Sequence, residues 1–216
     1  MRFKVNLILS FILLGTNYIR AQYKEYDWEE RDTWMKISEL FDISEIKSGS
    51  KVADIGCHEG YLSIHMSRAV GESGKVFAVD VRKDRLEKLE EHLKDRKIKN
   101  VHMILGDYDN PKLPKKDLDV VVILDTYHEI EEYKKILMHV KDALKTNGNI
   151  VIIEKFKQPM LNKSREEQTD AHTIAMHYVK DELLGAGFTI HIEIKDFGLW
   201  KNEEDKKIWI LVGKKE

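Results

Sequence analysis

The chain has 216 residues, of which 42% are hydrophobic and 34% are charged, and its formal net charge is −2. These values are typical of one globular domain with a full core and exclude a disordered or fibrous chain. The slightly acidic balance argues against sequence-independent binding of nucleic acid, which depends on neutralising phosphates. The single cysteine, Cys57, excludes an intrachain disulfide.

The first 21 residues have the order of properties of a secretory leader. Arg2 and Lys4 precede an apolar run that ends at Leu14, and the small residue Ala21 follows. This order predicts a signal peptide over residues 1–21. Because the apolar run is shorter than the ~20 residues of a membrane span, we expect export without stable membrane insertion after the leader is removed. A cytoplasmic location and a membrane tether are the alternatives.

Residues 22–216 are predicted to form one domain, which begins with an N-terminal strap over residues 22–47. Within the strap, residues 22–32 are predicted to be a loop, and apolar spacing predicts a helix over residues 33–43. After the strap, the predicted strands are 51–55, 75–80, 100–105, 118–124, 149–154, 188–196 and 207–213. The predicted helices between them are 60–70, 84–97, 131–145 and 173–185. The polar residues 155–171 are predicted to be a mobile loop or lid.

The alternation of strands and helices predicts an α/β fold with a mostly parallel sheet and helices on both faces. The last two predicted strands are separated only by a connection of turn length. They are therefore predicted to form an antiparallel hairpin at one edge of a seven-stranded sheet.

The segment Val-Ala-Asp-Ile-Gly-Cys-His-Glu-Gly at residues 52–60 predicts a ligand-binding loop. Gly56 and Gly60 allow the backbone to pass close to a ligand without a Cβ in the way. The helix predicted to follow can face a polar or anionic group with its N-terminus. His58 stands where the usual form of such a loop has a third glycine. Its side chain either points away from the ligand, contacts it, or weakens its binding.

Three further acids, Asp80, Asp107 and Asp125, follow successive predicted strands. In open parallel sheets, ligands bind at the carboxyl ends of the strands. An acid at the position of Asp80 can accept both ribose hydroxyls of a nucleotide-like ligand. The joint arrangement indicates a cofactor site more strongly than any one of these residues does.

Together, these motifs resemble those of the class I S-adenosylmethionine-dependent methyltransferases, and the resemblance covers roughly residues 34–213. Residues 52–60 resemble the family's first motif, and Val79-Asp80 resembles its ribose-binding acid. Gly106-Asp107 resembles the motif on the adenine side of the cofactor, and Asp125 with Tyr127-His128-Glu129 resembles the motif after the fourth strand. Exported bacterial members of unassigned substrate are the most similar group. The resemblance implies a Rossmann-like sheet, S-adenosyl-L-methionine as cofactor, and methyl transfer to an unidentified small-molecule acceptor.

The resemblance also implies roles for particular residues. The expected cofactor-binding residues are Asp54, Gly56, His58, Gly60, Asp80, Asp107 and Asp125. The expected catalytic residues are Tyr127, His128 and Glu129. Among these we expect His128 to be the base, because an imidazole titrates near neutral pH. The expected acceptor-binding residues are His172 and Trp28. No metal site is expected, because the candidate donors His128, Glu129, His172 and His177 lack a tight ligand spacing.

Two other functions stay open at this point. A non-catalytic module that binds S-adenosylmethionine or S-adenosylhomocysteine is one, because His58 departs from the usual loop. An NAD-dependent dehydrogenase is the other, although such an enzyme normally has the tighter Gly-x-Gly-x-x-Gly loop.

Overall fold

The computed structural model describes residues 27–201, 203 and 205–216. The predicted leader and residues 22–26 of the predicted strap lie outside the described residues. The domain has seven strands and seven α-helices within the described part of the chain. None of its described helices combines the length and the apolarity that a bilayer span requires.

The predicted strap begins with two short helices, α1 (Trp28–Met35) and α2 (Ile37–Ser44). The prediction of a loop up to residue 32 and of one helix over 33–43 was therefore wrong. Lys36 separates the helices because its backbone is left-handed, with φ of 49°. Trp34 and Met35 are buried in the core, so tertiary packing rather than local propensity places α1 on the sheet.

The seven strands form one sheet in the order β3-β2-β1-β4-β5-β7-β6. The strands are β1 (Lys51–Ile55), β2 (Lys75–Asp80), β3 (Val101–Leu105), β4 (Leu118–Leu124), β5 (Leu144–Lys157), β6 (Thr189–Leu199) and β7 (Lys206–Lys214). The first five pair in parallel, and β7 pairs antiparallel with both β5 and β6. This confirms the predicted Rossmann-like α/β sheet with an antiparallel terminal hairpin.

Helices cover both faces of this sheet. Besides α1 and α2, they are α3 (Tyr61–Val70), α4 (Lys83–Asp95), α5 (Tyr133–Ala143), α6 (Arg165–Asp170) and α7 (Met176–Gly185). One apolar cluster packs α1 to α4 on the face that includes Val52 and Val122. The other packs α5 and α7 on the face that includes Ala53 and Val121. Alternate residues of the central strands are therefore buried on opposite faces, as the continuous apolar runs predict.

The strand order reverses between β1 and β4, and this is where a parallel sheet opens a crevice for ligands. Ile55 lies in register with both Val79 and Ile123, and Leu124 lies in register with Ile153. The residues that follow these positions therefore meet at one edge of the sheet.

The predicted lid over residues 155–171 is largely ordered structure, which corrects the sequence interpretation. β5 continues to Lys157, because residues 149–157 pair with β7 along its whole length. Helix α6 follows and starts with a capping box between Ser164 and Glu167. That Ser-x-x-Glu pattern is a helix signal that was present in the sequence.

Candidate functional site

A cleft of about 1280 Å³ lies at the carboxyl ends of β1, β2, β4 and β5. Nine of the predicted site residues line it: Asp54, Gly56, His58, Asp80, Asp107, Asp125, His128, Glu129 and His172. Gly60, Tyr127 and Trp28 do not line it. The sheet therefore brings together residues that lie up to 118 positions apart in the sequence.

The glycine loop crosses the crevice in a tightly packed conformation. The N–H groups of Gly56 and Cys57 both donate to the carbonyl of Val79, at 2.8 and 3.0 Å. Gly56 has φ of 77°, and a Cβ on it would lie 2.4 Å from the side chain of Thr126. Only glycine fits this position, because the conformation is left-handed and the space is already taken. The backbone there lines the cleft directly.

His58 also has a left-handed backbone, with φ of 51°. Its N–H donates to Oδ2 of Asp80 at 2.9 Å. Burial, assisted by Arg85 and Arg82, lowers the pKa of the imidazole to about 4. The ring is therefore neutral near pH 7, and the backbone of His58 ties the glycine loop to Asp80.

The four acids at the strand ends have different environments. Asp54 is buried, and Oγ of Ser63 donates to its Oδ2 at 2.7 Å. Burial raises the pKa of Asp54 to about 6. Asp80 is partly exposed, and its second oxygen accepts the N–H of Arg82 at 2.9 Å. Asp107 is an exposed acid at the rim that pairs with the ammonium group of Lys112 at 2.8 Å.

Asp125 marks the opposite end of the cleft. It is buried, and its backbone is left-handed, with φ of 51°. Burial raises the pKa of Asp125 to about 7, against the opposing effect of Lys155. The ammonium group of Lys155 lies 3.1 Å from Oδ2 of Asp125 and also pairs with Glu203. This cluster joins β4, β5 and the turn between β6 and β7.

His128 is held from behind by a fully buried carboxylate. Nδ1 of His128 lies 2.9 Å from Oε2 of Glu154, and the backbone N–H of His128 donates to Oε1 of Glu154 at 3.0 Å. Burial acts to lower the pKa of His128, but the charge and the hydrogen bond of Glu154 outweigh it and raise the pKa. The pair leaves Nε2 of His128 on the side of Glu129.

Glu129 and His172 complete this end of the cleft. The Glu129 side chain is 62% exposed, and its Oε1 lies 3.9 Å from Nε2 of His128. The ring of His172 meets the ring of His128 edge to face, with centroids 5.8 Å apart. The two predicted histidines therefore lie together at this end of the cleft, although 44 positions separate them in the sequence.

Tyr127 and Trp28 lie elsewhere, so the structure does not support the roles predicted for them. Tyr127 is completely buried in the apolar cluster that packs α5 and α7 against the sheet. Its hydroxyl donates to Glu182 at 2.7 Å. Trp28 packs against the rings of Tyr61 and His92 in the helical layer. The resemblance implied both roles, but the two side chains are buried in the core.

Several residues in the cleft or directly behind it were missed by the sequence interpretation: Thr126, Glu154, Lys155, Glu203 and Lys206. Glu154 and Lys155 had a signal, because two charged residues continue the apolar run of β5. That pattern at the carboxyl end of a central strand indicates a polar site. No comparable signal marks Glu203 or Lys206, which reach the cleft from the turn between β6 and β7 and from the start of β7.

Comparison with known proteins identifies the family. A family model described as a methyltransferase domain matches residues 46–208, about three quarters of the chain. The chain belongs to this methyltransferase family. A methyltransferase domain favours methyl transfer over the dehydrogenase and the non-catalytic alternatives.

Individual relatives agree with this assignment. The chain is 31% identical over 127 residues to a demethylmenaquinone methyltransferase of Staphylococcus saprophyticus, a match that covers 59% of this chain and 53% of that protein. It is 27% identical over 210 residues to the enzyme of the same name from Staphylococcus carnosus, with 85% of each chain covered. The chain thus spans about half the length of the first relative and most of the second.

A solved structure supports the fold. A SAM-dependent methyltransferase from Aquifex aeolicus superposes with a TM-score of 0.72 at 21% identity, covering 89% of this chain and 99% of that one. At this level of identity the likeness shows the fold. The glycine loop lines the cleft at Gly56 without a side chain, which suits the close approach of a cofactor to the backbone.

Proposed function

We propose that this methyltransferase transfers the methyl group to an oxygen or nitrogen of a small, polar molecule, and that the acceptor binds beside His128. One observation carries the proposal: Nδ1 of His128 is fixed by the buried Glu154 at 2.9 Å. The opposite ring nitrogen is then left for a substrate. A hydroxyl or amine must lose a proton as it is methylated, and a positioned imidazole is the usual acceptor of that proton.

The cofactor supplies an electrophilic methyl group. The residues of this chain have to bind it, orient it and place the acceptor in line with it. Gly56 and the backbone of His58 would cradle one part of the cofactor, and Asp80 would accept the ribose hydroxyls. Asp54 and Asp107 would contact the methionine and adenine ends, respectively. His128 would take the acceptor's proton, and Glu154 would hold the imidazole in the required tautomer.

The composition of the acceptor end favours a polar molecule. Its lining includes six ionisable side chains beside the apolar Leu124, Ile130 and Ile136: His128, Glu129, Lys155, His172, Glu203 and Lys206. Lys155, Glu203 and Lys206 are already ion-paired, so the groups left for an acceptor are those of His128, Glu129 and His172. An acceptor without polar atoms would remove these three groups from water without giving them partners, which is costly. A quinone is the second candidate, because demethylmenaquinone methyltransferases are among the relatives and one of them matches along 85% of the chain.

The test is methyl transfer from labelled S-adenosylmethionine to a panel of small hydroxyl and amine compounds, with a demethylmenaquinone analogue as the competing acceptor. Transfer to the quinone alone would overturn the polar-acceptor proposal. With an acceptor identified, His128→Ala is expected to lower kcat by about 10²- to 10⁴-fold. Its affinity for S-adenosylhomocysteine should stay unchanged.

His191→Ala is the matched control, because His191 is an exposed histidine on β6, away from the cleft. It should keep full activity. If His128→Ala also keeps full activity on the true acceptor, the proton is not transferred to His128 and this part of the proposal fails.

We also propose that the chain is exported by the leader at residues 1–21. The order of basic, apolar and small residues supports it. Export would separate the enzyme from the cytoplasm, where its cofactor is made, so an exported enzyme needs a supply of cofactor outside. N-terminal sequencing of the native protein tests the leader directly: a start near residue 22 supports cleavage, whereas a start at Met1 contradicts it.

A further inference from the structure

Three side chains with metal-binding atoms converge at the acceptor end of the cleft. His128, Glu129 and His172 each present one donor atom, and these atoms all lie within 4.8 Å of one another. The first two come from the turn after β4, and the third comes from the turn between α6 and α7. No short sequence spacing indicates this set, which explains why no metal site was expected from the sequence.

The buried Glu154 gives His128 the arrangement of a metal-ligating histidine. Such a histidine nearly always donates its other ring N–H to a carboxylate or carbonyl, which fixes the tautomer and makes the free nitrogen more basic. Glu154 is completely buried and lies 2.9 Å from Nδ1 of His128. Nε2 is then the nitrogen with the lone pair, and Glu129 lies on its side of the ring.

The backbone also positions His172. Its φ of 49° is left-handed, a conformation that costs energy in a residue with a Cβ. The carbonyl of His172 accepts a hydrogen bond from the ammonium group of Lys206 at 2.9 Å, which holds this conformation. Strained backbone that is held by its surroundings is found most often at functional sites.

Local charge favours a divalent cation. Four carboxylates, those of Asp125, Glu129, Glu154 and Glu203, surround the donors. Among the described residues, the ammonium groups that pair with this cluster are those of Lys155 and Lys206. Carboxylates therefore outnumber ammonium groups in this cluster by four to two. A divalent cation would offset this excess.

A second set of donors, Asp125, His128 and Glu154, is also close enough for a shared ion. This set is a poorer candidate, because the ammonium group of Lys155 already lies 3.1 Å from Asp125. All three residues of that set are buried, whereas Glu129 and His172 are exposed to the cleft. The cleft-facing set is therefore the one that an ion can reach.

We infer that His128, Glu129 and His172 bind a divalent first-row transition metal ion such as Zn²⁺. Two imidazoles and a carboxylate suit this class of ion, and three protein ligands leave a position open for a substrate oxygen. A bound ion would take the lone pair of His128, so His128 could not also act as the base. The ion would lower the pKa of a bound hydroxyl acceptor, and water in the cleft would then take the proton. The metal site and the proposed base role are therefore alternatives for the same nitrogen atom.

The test uses the full chain freed of metal with a chelator and then titrated with Zn²⁺ by calorimetry. Co²⁺ serves as a spectroscopic probe, because its visible absorption reports coordination geometry. One ion is expected per chain. His172→Ala and Glu129→Gln should abolish this binding, and both alter exposed side chains that the fold does not need. Glu154→Gln should weaken it by about ten- to a hundredfold.

His177→Ala is the matched control, because His177 is an exposed histidine in α7, only five positions beyond His172. It should bind the ion as the unmodified protein does. The inference is overturned if Zn²⁺ does not bind, or if His172→Ala and Glu129→Gln bind as tightly as His177→Ala. Thermal unfolding of each variant identifies any loss that comes from misfolding.

The same measurements separate this inference from the proposed acceptor site. Metal binding is measured without any acceptor, so its absence leaves the proposed base role of His128 untouched. Conversely, failure to find a polar acceptor has no bearing on whether Zn²⁺ binds.

Discussion

The two ends of the cleft are built in different ways. The proposed cofactor end is formed by backbone and by acids at or just beyond the ends of β1, β2 and β3, so its parts lie within residues 54–107. The proposed acceptor end is formed by side chains from the turn after β4, from β5, from the turn at His172 and from the region where β6 turns into β7. The first is determined locally by the strand–loop–helix units, whereas the second depends on how distant segments pack.

The two ends also differ in the contacts that hold them in place. The backbone contacts at Gly56 and His58 do not depend on particular side chains elsewhere, apart from Asp80 and Thr126. The ion pairs of Lys155, by contrast, join two strands and a turn. Changes at the acceptor end should therefore cause the largest losses of stability, and changes in the glycine loop should affect cofactor affinity as well as stability.

The largest effect is expected from Lys155→Met, which removes the buried ammonium group. Asp125 and Glu203 would lose their shared cation, and breaking a buried ion pair in this way costs about 3–5 kcal/mol. Denaturant unfolding measures the loss of stability. Lys157→Met is the control, because Lys157 lies two residues further along β5 and is exposed. Equal losses in the two variants would mean that the buried cluster contributes little.

Gly56→Ala should lower both the stability of the fold and the affinity for the cofactor product. The new Cβ would lie 2.4 Å from Thr126 in a backbone with φ of 77°. We expect a loss of about 2–3 kcal/mol in stability, from left-handed strain and overpacking. We also expect affinity for S-adenosylhomocysteine to fall at least about tenfold, measured by calorimetry. Gly185→Ala is the control, because a Cβ at that position would have no neighbour within 4 Å. An unchanged affinity in Gly56→Ala would show that the loop does not approach the cofactor.

Asp54→Asn should change the stability of the fold by an amount that depends on pH. Burial raises the pKa of Asp54 from 3.8 to about 6 in the folded protein, against the effects of Ser63 and Arg31, while Asp80 adds to the rise. The ionised carboxylate therefore destabilises the fold, fully above pH 6 and not at all below pH 3.8. The amide removes this cost. We expect the variant to gain about 2 kcal/mol at pH 8 and roughly half as much at pH 5.

Unfolding experiments at the two pH values provide the measurement. Asp42→Asn, at an exposed position of α2, should change stability little at either pH. A gain for Asp54→Asn that is the same at pH 5 and pH 8 would contradict the raised pKa.

The smallest effect is expected from His58→Gly. Glycine adopts φ near 51° without strain, while the N–H that binds Asp80 is kept. After the entropy cost of glycine is counted, we expect a gain in stability of about 0.5–1 kcal/mol. Affinity for S-adenosylhomocysteine should change less than about threefold. A larger loss of affinity would show that the imidazole itself contacts the cofactor.

The residues predicted to bind the cofactor mostly line the cleft, whereas the acceptor end was predicted only in part. Asp54, Gly56, His58, Asp80, Asp107 and Asp125 line the cleft because each lies at or just beyond the end of a strand, while Gly60 does not line it. At the other end, His128 and His172 were predicted and do lie together. Glu154 and Lys155 were missed because they were placed at the boundary of an irregular lid, whereas β5 continues through them.

The errors in secondary structure have a common cause. Lys36 divides the N-terminal helix, and α1 begins at Trp28, because Trp34 and Met35 have to reach the core. β5 is longer than its apolar run because β7 pairs with it up to Lys157. In both places contacts with distant residues override the local pattern.

By itself, the sequence determined the α/β class, the order of the first five strands and helices, and the acids at the strand ends, because periodicity and turn residues act locally. Only the tertiary structure decided which side chains of the turn after β4 face the cleft. Tyr127 points into the core, while its neighbour His128 turns toward Glu154 and His172. Side-chain direction at the end of a strand depends on packing across the sheet, and no short stretch of sequence contains that information.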